Sequence, residues 1–143
     1  MATVRTANAH WEGSLMEGAG TVELASSGIG TYDVTWASRA EENASGRTSP
    51  EELIAAAHST CFSMALSHGL AGAGTPPTTV DTSADVTFVP GTGITGITLK
   101  VKAAVPGLTA EQFEEAAQGA KANCPVSQAL KGVEITLEAT LVE

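Results

Sequence analysis

Thr48-Ser-Pro-Glu-Glu-Leu-Ile-Ala-Ala-Ala-His-Ser-Thr-Cys-Phe-Ser-Met-Ala-Leu-Ser-His-Gly-Leu70 reads as one long helix, and the rest of the chain is arranged around it. Ser49 can cap the first turn, Pro50 suits the first helical position, and Glu52 stands three residues after Ser49, the spacing of a capping box. Glu51 and Glu52 fall where the helix dipole favours acids. From Leu53 to Leu66 the stretch is Ala-rich and apolar on nearly every side, which predicts a largely buried helix covered from several directions. It carries Cys61, one of two cysteines in the chain. A thiol in such a place is either inert packing or chemistry.

Working outward, the residues before the helix predict a three-stranded meander between Ala7 and Trp36, punctuated by glycines at 18, 20, 28 and 30. Ser38 to Arg47 is polar and rich in turn residues, so a connecting loop is predicted there, with Arg39 where the third strand gives way to it. After the helix, Gly69 to Pro77 is a Gly, Ala and Pro loop. Val80 to Val89 alternates, and Ile94 to Val105 gives a second strand beyond the turn at Pro90-Gly-Thr-Gly93, together an antiparallel hairpin. Thr109-Ala-Glu-Gln112 is a second capping box, opening a helix to about Ala122 whose thin apolar stripe is Phe113, Ala116, Ala117 and Ala120. A short helical turn follows at Pro125, and Val133 to Val142 alternates as a last strand. The predicted order is β-β-β-α-β-β-α-β, an α+β fold of antiparallel sheets without the βαβ rhythm of a parallel sheet.

The 143 residues fit one domain, 1–143, with enough chain for a real core. Sixteen acidic against seven basic residues give a formal charge of -9, which argues against nucleic acid or an anionic membrane as partner. No apolar run reaches the roughly 18 residues of a spanning helix. Met1 to Gly13 has no apolar signal region, so a cytoplasmic protein is expected. A long helix apolar on most sides needs more cover than one small sheet and one amphipathic helix supply. An obligate homodimer with the long helices packed together would provide it.

Among chemically capable residues, Cys61 shares a helix face with Ile54, Ala57, Met64, Ala65 and His68, where burial would make its thiol inert unless a cation lies close. Of the few basic residues, Arg39 is the best candidate, with Arg5 and Arg47 weaker and Lys100, Lys102 and Lys131 expected on the surface. Glu51 could hold such an arginine in a bidentate pair or be an ordinary first-turn acid. Ten residues separate Glu51 from Cys61, about 15 Å of helix, so an arginine clasped by Glu51 reaches Cys61 more readily if two such helices cross in a dimer. Cys124 precedes Pro125 at a cap-like position, a location that lowers a thiol pKa, and judged alone it is the better free thiolate. His58 and His68 lie on roughly the same side as Cys61, but the chain has no zinc-ligand spacing, so no metal is expected.

With these residues assembled, the chain resembles the OsmC/Ohr family of thiol-dependent peroxidases, closest to its osmotically inducible OsmC branch. The stretches responsible are Ala9-His-Trp-Glu-Gly13, Thr48 to His58, Cys61-Phe-Ser-Met-Ala-Leu-Ser67, Val105-Pro-Gly107 and Cys124-Pro-Val-Ser-Gln128. The resemblance implies an intertwined homodimer in which antiparallel sheets wrap around long central helices. It implies Cys61 as the peroxidatic cysteine, Cys124 as the resolving one, and Arg39 with Glu51 as the activating pair. It further implies organic hydroperoxides as substrates, a Cys61 sulfenic acid, a Cys61–Cys124 disulfide, no bound cofactor, and an external dithiol reductant of the dihydrolipoyl type. Relatives carry an aromatic residue directly after the arginine, where this chain has Ala40. The competing reading is a non-catalytic module of the same fold that binds a lipid-like ligand.

Overall fold

The computed structural model of the chain describes residues 1–142. It forms two compact units, residues 1–53 and the chain from Ile54 onward.

In the first unit, strands β1 (Asn8–Glu12), β2 (Ala19–Glu23) and β3 (Thr31–Val34) form an antiparallel sheet in that order, the meander expected from the glycine punctuation. Gly20 lies opposite Trp11 on one side and Val34 on the other. A Cβ at Gly20 would collide with the His10 carbonyl oxygen and stand 2.7 Å from the Trp11 indole, so the absent side chain is what lets that ring lie across the strand. No residue of β1 is buried.

The chain after β3 differs from the predicted loop. Trp36–Ala40 is a short helix, α1, started by Thr35, whose hydroxyl accepts from the Ser38 amide while the Thr35 amide donates to Ser38 Oγ. The box is hidden in the sequence because its partner at the third helical position is serine rather than the usual Glu or Gln. The consequence is that Arg39 stands on a helix, not at a strand end.

Helix α2 runs Pro50–Gly72 and starts as expected, with the Glu52 amide donating to Ser49 Oγ at 3.1 Å. The Glu52 carboxylate turns to the Thr48 hydroxyl.

In the second unit, β4 (Thr79–Val89) and β5 (Gly93–Ala104) form the antiparallel hairpin, with a bulge at Thr87/Phe88. Helix α3 (Ala110–Asn123) opens on the Thr109/Gln112 capping box, α4 (Pro125–Ala129) follows at once, and β6 is Glu134–Leu141. Here the expectation of purely antiparallel sheets fails: β6 pairs with β5 in parallel, Leu99 beside Leu137 and Val101 beside Ala139. Parallel neighbours require a long crossover, and α3 with α4 supply it, so this half of the chain does contain a β-helix-β unit. One amphipathic helix between two alternating strands is compatible with either direction, which is why alternation alone did not decide it.

The core of this unit lies between Phe62, Leu66 and Leu70 of α2, Leu99 and Val101 of β5, and Phe113, Ala117 and Ala120 of α3. Each large side chain buried there contributes about 1.5–3 kcal/mol. Helix α2 is buried along a single stripe, His58, Phe62, Leu66 and Leu70, at successive fourth positions. Its other side, with Ala56, Ala57, Thr60, Met64 and His68, is exposed in the single chain, Met64 to 68%. The helix predicted to be buried on most sides is thus covered on one.

Candidate active site

Arg39 and Glu51 meet within the first unit. Arg39 Nε donates to both carboxylate oxygens of Glu51, at 3.0 and 3.1 Å, and Nη2 donates to Oε2 at 3.0 Å. Two elements hold this fork. The Ser38 hydroxyl, buried beside Arg39, donates to the Thr48 carbonyl oxygen at 2.8 Å, tying α1 to the residues that lead into α2. The Thr48 amide in turn donates to the Asp33 carbonyl at the end of β3. The Glu51 side chain is only 8% exposed, so the guanidinium it faces takes the place of most of the water it would otherwise bind. A planar guanidinium held edge-on by a carboxylate has its direction fixed, as a lysine would not.

Arg39 also lines an apolar cleft of about 460 Å³ with Trp11, Leu15, Val22 and Trp36. The tryptophans are functional candidates that sequence reading passed over. The sequence pattern puts Trp36 at the end of a strand, whereas the turn into α1 brings it to line the cleft with the arginine three residues later. Position 40, where an aromatic was expected from the resemblance, lies outside the lining.

The two cysteines meet in the second unit, both as free thiols. Cys124 ends α3, starts α4 and is fully buried, whereas Cys61 is partly buried at the margin of the core. Of the face predicted for Cys61, Ala57, Met64 and His68 are exposed, so the sulfur stands between packed core and open surface. Burial pushes the Cys61 thiol up, and its interaction with Cys124 pushes it further, against a smaller downward pull from the Val126 amide. Cys124 moves the other way. Burial opposes its ionisation, but the Cys61 thiol, the Ser127 amide and hydroxyl, and the Val126 amide together favour the thiolate and bring it below the ordinary range. Judged by this unit alone, Cys124 is the acidic thiol.

The histidines do not join the sulfurs. His58 is fully buried with Nε2 2.7 Å from Ser127 Oγ, and His68 is exposed. Among the described residues, no group of three or more His, Cys, Asp or Glu side chains is placed to hold a metal ion. Arg5, Arg47, Lys100, Lys102 and Lys131 are exposed, and Lys121, not weighed in the sequence, donates to the Ile135 carbonyl oxygen. No helix among the described residues is long and apolar enough to cross a membrane.

This two-sheet α+β architecture is that of solved OsmC and organic hydroperoxide resistance proteins. An OsmC organic hydroperoxide resistance protein from Legionella pneumophila superimposes with a TM-score of 0.73 at 26% identity, covering 98% of each chain. An organic hydroperoxide resistance protein from Elizabethkingia anophelis does so with a TM-score of 0.72 at 26% identity, covering 99% of each. The chain belongs to the OsmC-like protein family, whose match spans residues 42–138 and so includes Glu51, Cys61 and Cys124 and begins just after Arg39. Peroxiredoxin OsmC of Escherichia coli strain K12 is 49% identical over 133 residues, 91% of each chain.

Proposed function

We propose that this chain is a thiol-dependent peroxidase that reduces organic hydroperoxides to alcohols through the two cysteines. The observation that carries the reading is the meeting of two free thiols, Cys61 at the margin of the core and Cys124 buried within it, in a chain whose curated relatives are peroxiredoxins by name. In the first step the Cys61 thiolate attacks the outer oxygen of the hydroperoxide. The S–O bond forms, the O–O bond breaks, the alkoxide leaves and takes a proton to become the alcohol, and the sulfur is oxidised to the sulfenic acid. In the second step Cys124 sulfur attacks Cys61 sulfur. The S–S bond forms, the S–O bond breaks, and the thiol proton leaves with the hydroxyl as water. An external dithiol, of the dihydrolipoyl type, then reduces the disulfide by exchange and is itself oxidised to its disulfide.

Cys61 needs a cation for this role, since burial and Cys124 both hold its proton on. Arg39, fixed by Glu51 in an apolar cleft, supplies it in this reading, and the cleft walls take the hydrocarbon part of the substrate. Ten residues of helix, about 15 Å, lie between Glu51 and Cys61. The pair is therefore assigned to the Cys61 of a second copy, in a homodimer that covers the exposed side of α2. The cycle suits a reducing, cytoplasmic setting that maintains the dithiol.

The test is consumption of tert-butyl hydroperoxide by the reduced protein with dihydrolipoamide, comparing the parent with Cys61→Ser and Cys124→Ser. The parent should turn over, Cys61→Ser should be inert, and Cys124→Ser should consume about one equivalent and then wait for external thiol. A parent no faster than a free thiol in solution would leave only the ligand-binding reading, in which the cleft holds a lipid-like molecule.

A further inference from the structure

Within the core of the second unit, His58 is a titratable group that the proposed cycle does not use. It is fully buried on α2, three residues before Cys61, and its only hydrogen-bond partner among the described residues is Ser127, at 2.7 Å from Nε2. Its Nδ1 is buried without a partner. Ser127, itself buried, stands three residues after Cys124, at the third position of α4, from which a side chain can reach back to the residue that starts the helix. In the thiol state Cys124 makes no side-chain capping bond. The polar groups that favour its ionised form include both the amide and the hydroxyl of Ser127.

The proton positions follow from counting donors. Burial lowers the His58 pKa, so the ring is neutral at neutral pH and carries one N–H. An orphaned buried N–H is costlier than an under-used acceptor, so the proton belongs on Nε2, leaving Nδ1 as a bare lone pair. Nε2–H then donates to Ser127 Oγ, and the single hydroxyl proton of Ser127 is left free for sulfur. With the other tautomer Ser127 would spend that proton on the imidazole.

We propose that His58 is a positioning residue that acts through Ser127, holding its hydroxyl proton toward Cys124 and so stabilising the Cys124 thiolate. This rests on Cys124 being the resolving thiol. In that role the thiolate is the nucleophile that displaces hydroxide from the Cys61 sulfenic acid, and it is a better leaving group when the dithiol later opens the disulfide at Cys61. The other groups acting on the Cys124 sulfur are the Cys61 thiol from α2 and the Val126 and Ser127 amides of α4.

The experiment is a pH titration of thiolate absorbance in the Cys61→Ser chain, where Cys124 is the one thiol present, with Ser127→Ala, His58→Leu, both together, and His58→Gln added. Ser127→Ala and His58→Leu should each raise the Cys124 pKa by about one unit, and the double change should raise it no further. His58→Gln, whose side-chain amide can donate from about the Nε2 position, should restore most of the shift. Should His58→Leu fail to fold, His58→Asn, too short to donate there, takes its place. In chains that retain Cys61, disulfide formation should slow about threefold, since a tenfold loss of thiolate is partly offset by higher nucleophilicity. Additive shifts, or a Cys124 pKa indifferent to His58, would overturn the proposal. The titration involves no peroxide, so a parent that shows the coupling but consumes no hydroperoxide would overturn the peroxidase reading alone.

Discussion

Cys61 and Cys124 face each other as free thiols, the first partly and the second fully buried, and their interaction raises the Cys61 pKa while it lowers that of Cys124. Burial is the larger upward influence on Cys61, and the bond to Cys124 adds to it. Replacing Cys124 by serine should therefore lower the Cys61 pKa but leave it above its fully solvated value. A thiolate titration of the Arg39→Met chain with and without Cys124→Ser isolates this effect. No movement would mean the contact is not made in solution.

Arg39 is expected to reverse the effect of burial on Cys61. Burial holds the Cys61 thiol above its ordinary range, so without a cation little of it is thiolate at neutral pH. The Arg39→Met chain should thus lose about 10- to 100-fold in the first-step rate at neutral pH and recover part of it as pH rises toward 9, because hydroxide then removes the proton the arginine no longer displaces. Stopped-flow peroxide consumption from pH 6 to about 9.5 measures it, and a loss equal at every pH would assign the arginine to substrate binding.

Glu51→Gln keeps the size of the side chain but removes the charge that locks the guanidinium. The expected outcome is a rate loss of about tenfold with a smaller change in KM, and a stability loss of about 1 kcal/mol from one partly exposed, charge-assisted pair. Urea unfolding beside steady-state kinetics separates the two effects. An unchanged rate would reduce Glu51 to a first-turn acid.

Trp36→Ala opens one wall of the cleft around Arg39. Discrimination for a bulky aromatic hydroperoxide over tert-butyl hydroperoxide should shrink about 10-fold, roughly the value of one apolar contact surface, with the small substrate little affected. The ratio of kcat/KM for the two substrates is the measurement. Equal losses on both would indicate that α1 has been disturbed rather than the cleft.

The exposed side of α2 gives the prediction for assembly. Met64→Lys places a charge on a face that a homodimer would desolvate, and should convert the dimer to monomers at micromolar concentration by sedimentation. A parent that already sediments as a monomer would remove the assignment of Arg39 to a second copy.

Acid should weaken the fold through His58. Its folded pKa lies below the ordinary value because the charged ring would be buried, so the unfolded chain takes up a proton that the folded chain refuses. Stability is complete above about pH 6.5 and declines as pH falls from there toward the folded pKa. The slope of unfolding free energy against pH over that window should be shallower in His58→Gln, which has nothing to protonate. Carboxylates contribute to both chains alike, so the difference in slope is the quantity to read.

Much of the fold is legible in the sequence. The ends of α2 and α3 follow from Ser49, Pro50 and the Thr109/Gln112 pair, because a cap is a local bond between residues three apart and sequence spacing encodes it fully. The alternation of β4 and β5 is equally local. What escaped was either disguised or long-range. Thr35 and Ser38 form a box without the usual acid or amide, so α1 passed as loop. The direction of β6 depends on how the crossover lies, which no pattern inside the strand records. Cys61, Cys124, Arg39 and Glu51 were all named from the sequence, and so was the likelihood of Cys124 as the more acidic thiol when judged by its cap position. His58 and Ser127 could not be paired, being 69 residues apart and each unremarkable by type.

The parallel pairing of β5 with β6 sets an order of events during folding. The β4–β5 hairpin closes over a three-residue turn, whereas β6 finds β5 across a span such as Thr98 to Thr136, 38 residues apart. Closing that span costs more chain entropy and should come late. Cys124 rides on the segment being closed, so the two sulfurs are strangers until the last strand is seated. A nascent or partly unfolded chain should therefore carry two ordinary thiols, and refolding followed by the rate of Cys61–Cys124 oxidation should show redox activity arriving with the slow phase. Unfolding the crossover would disarm the chain before the hairpin is lost.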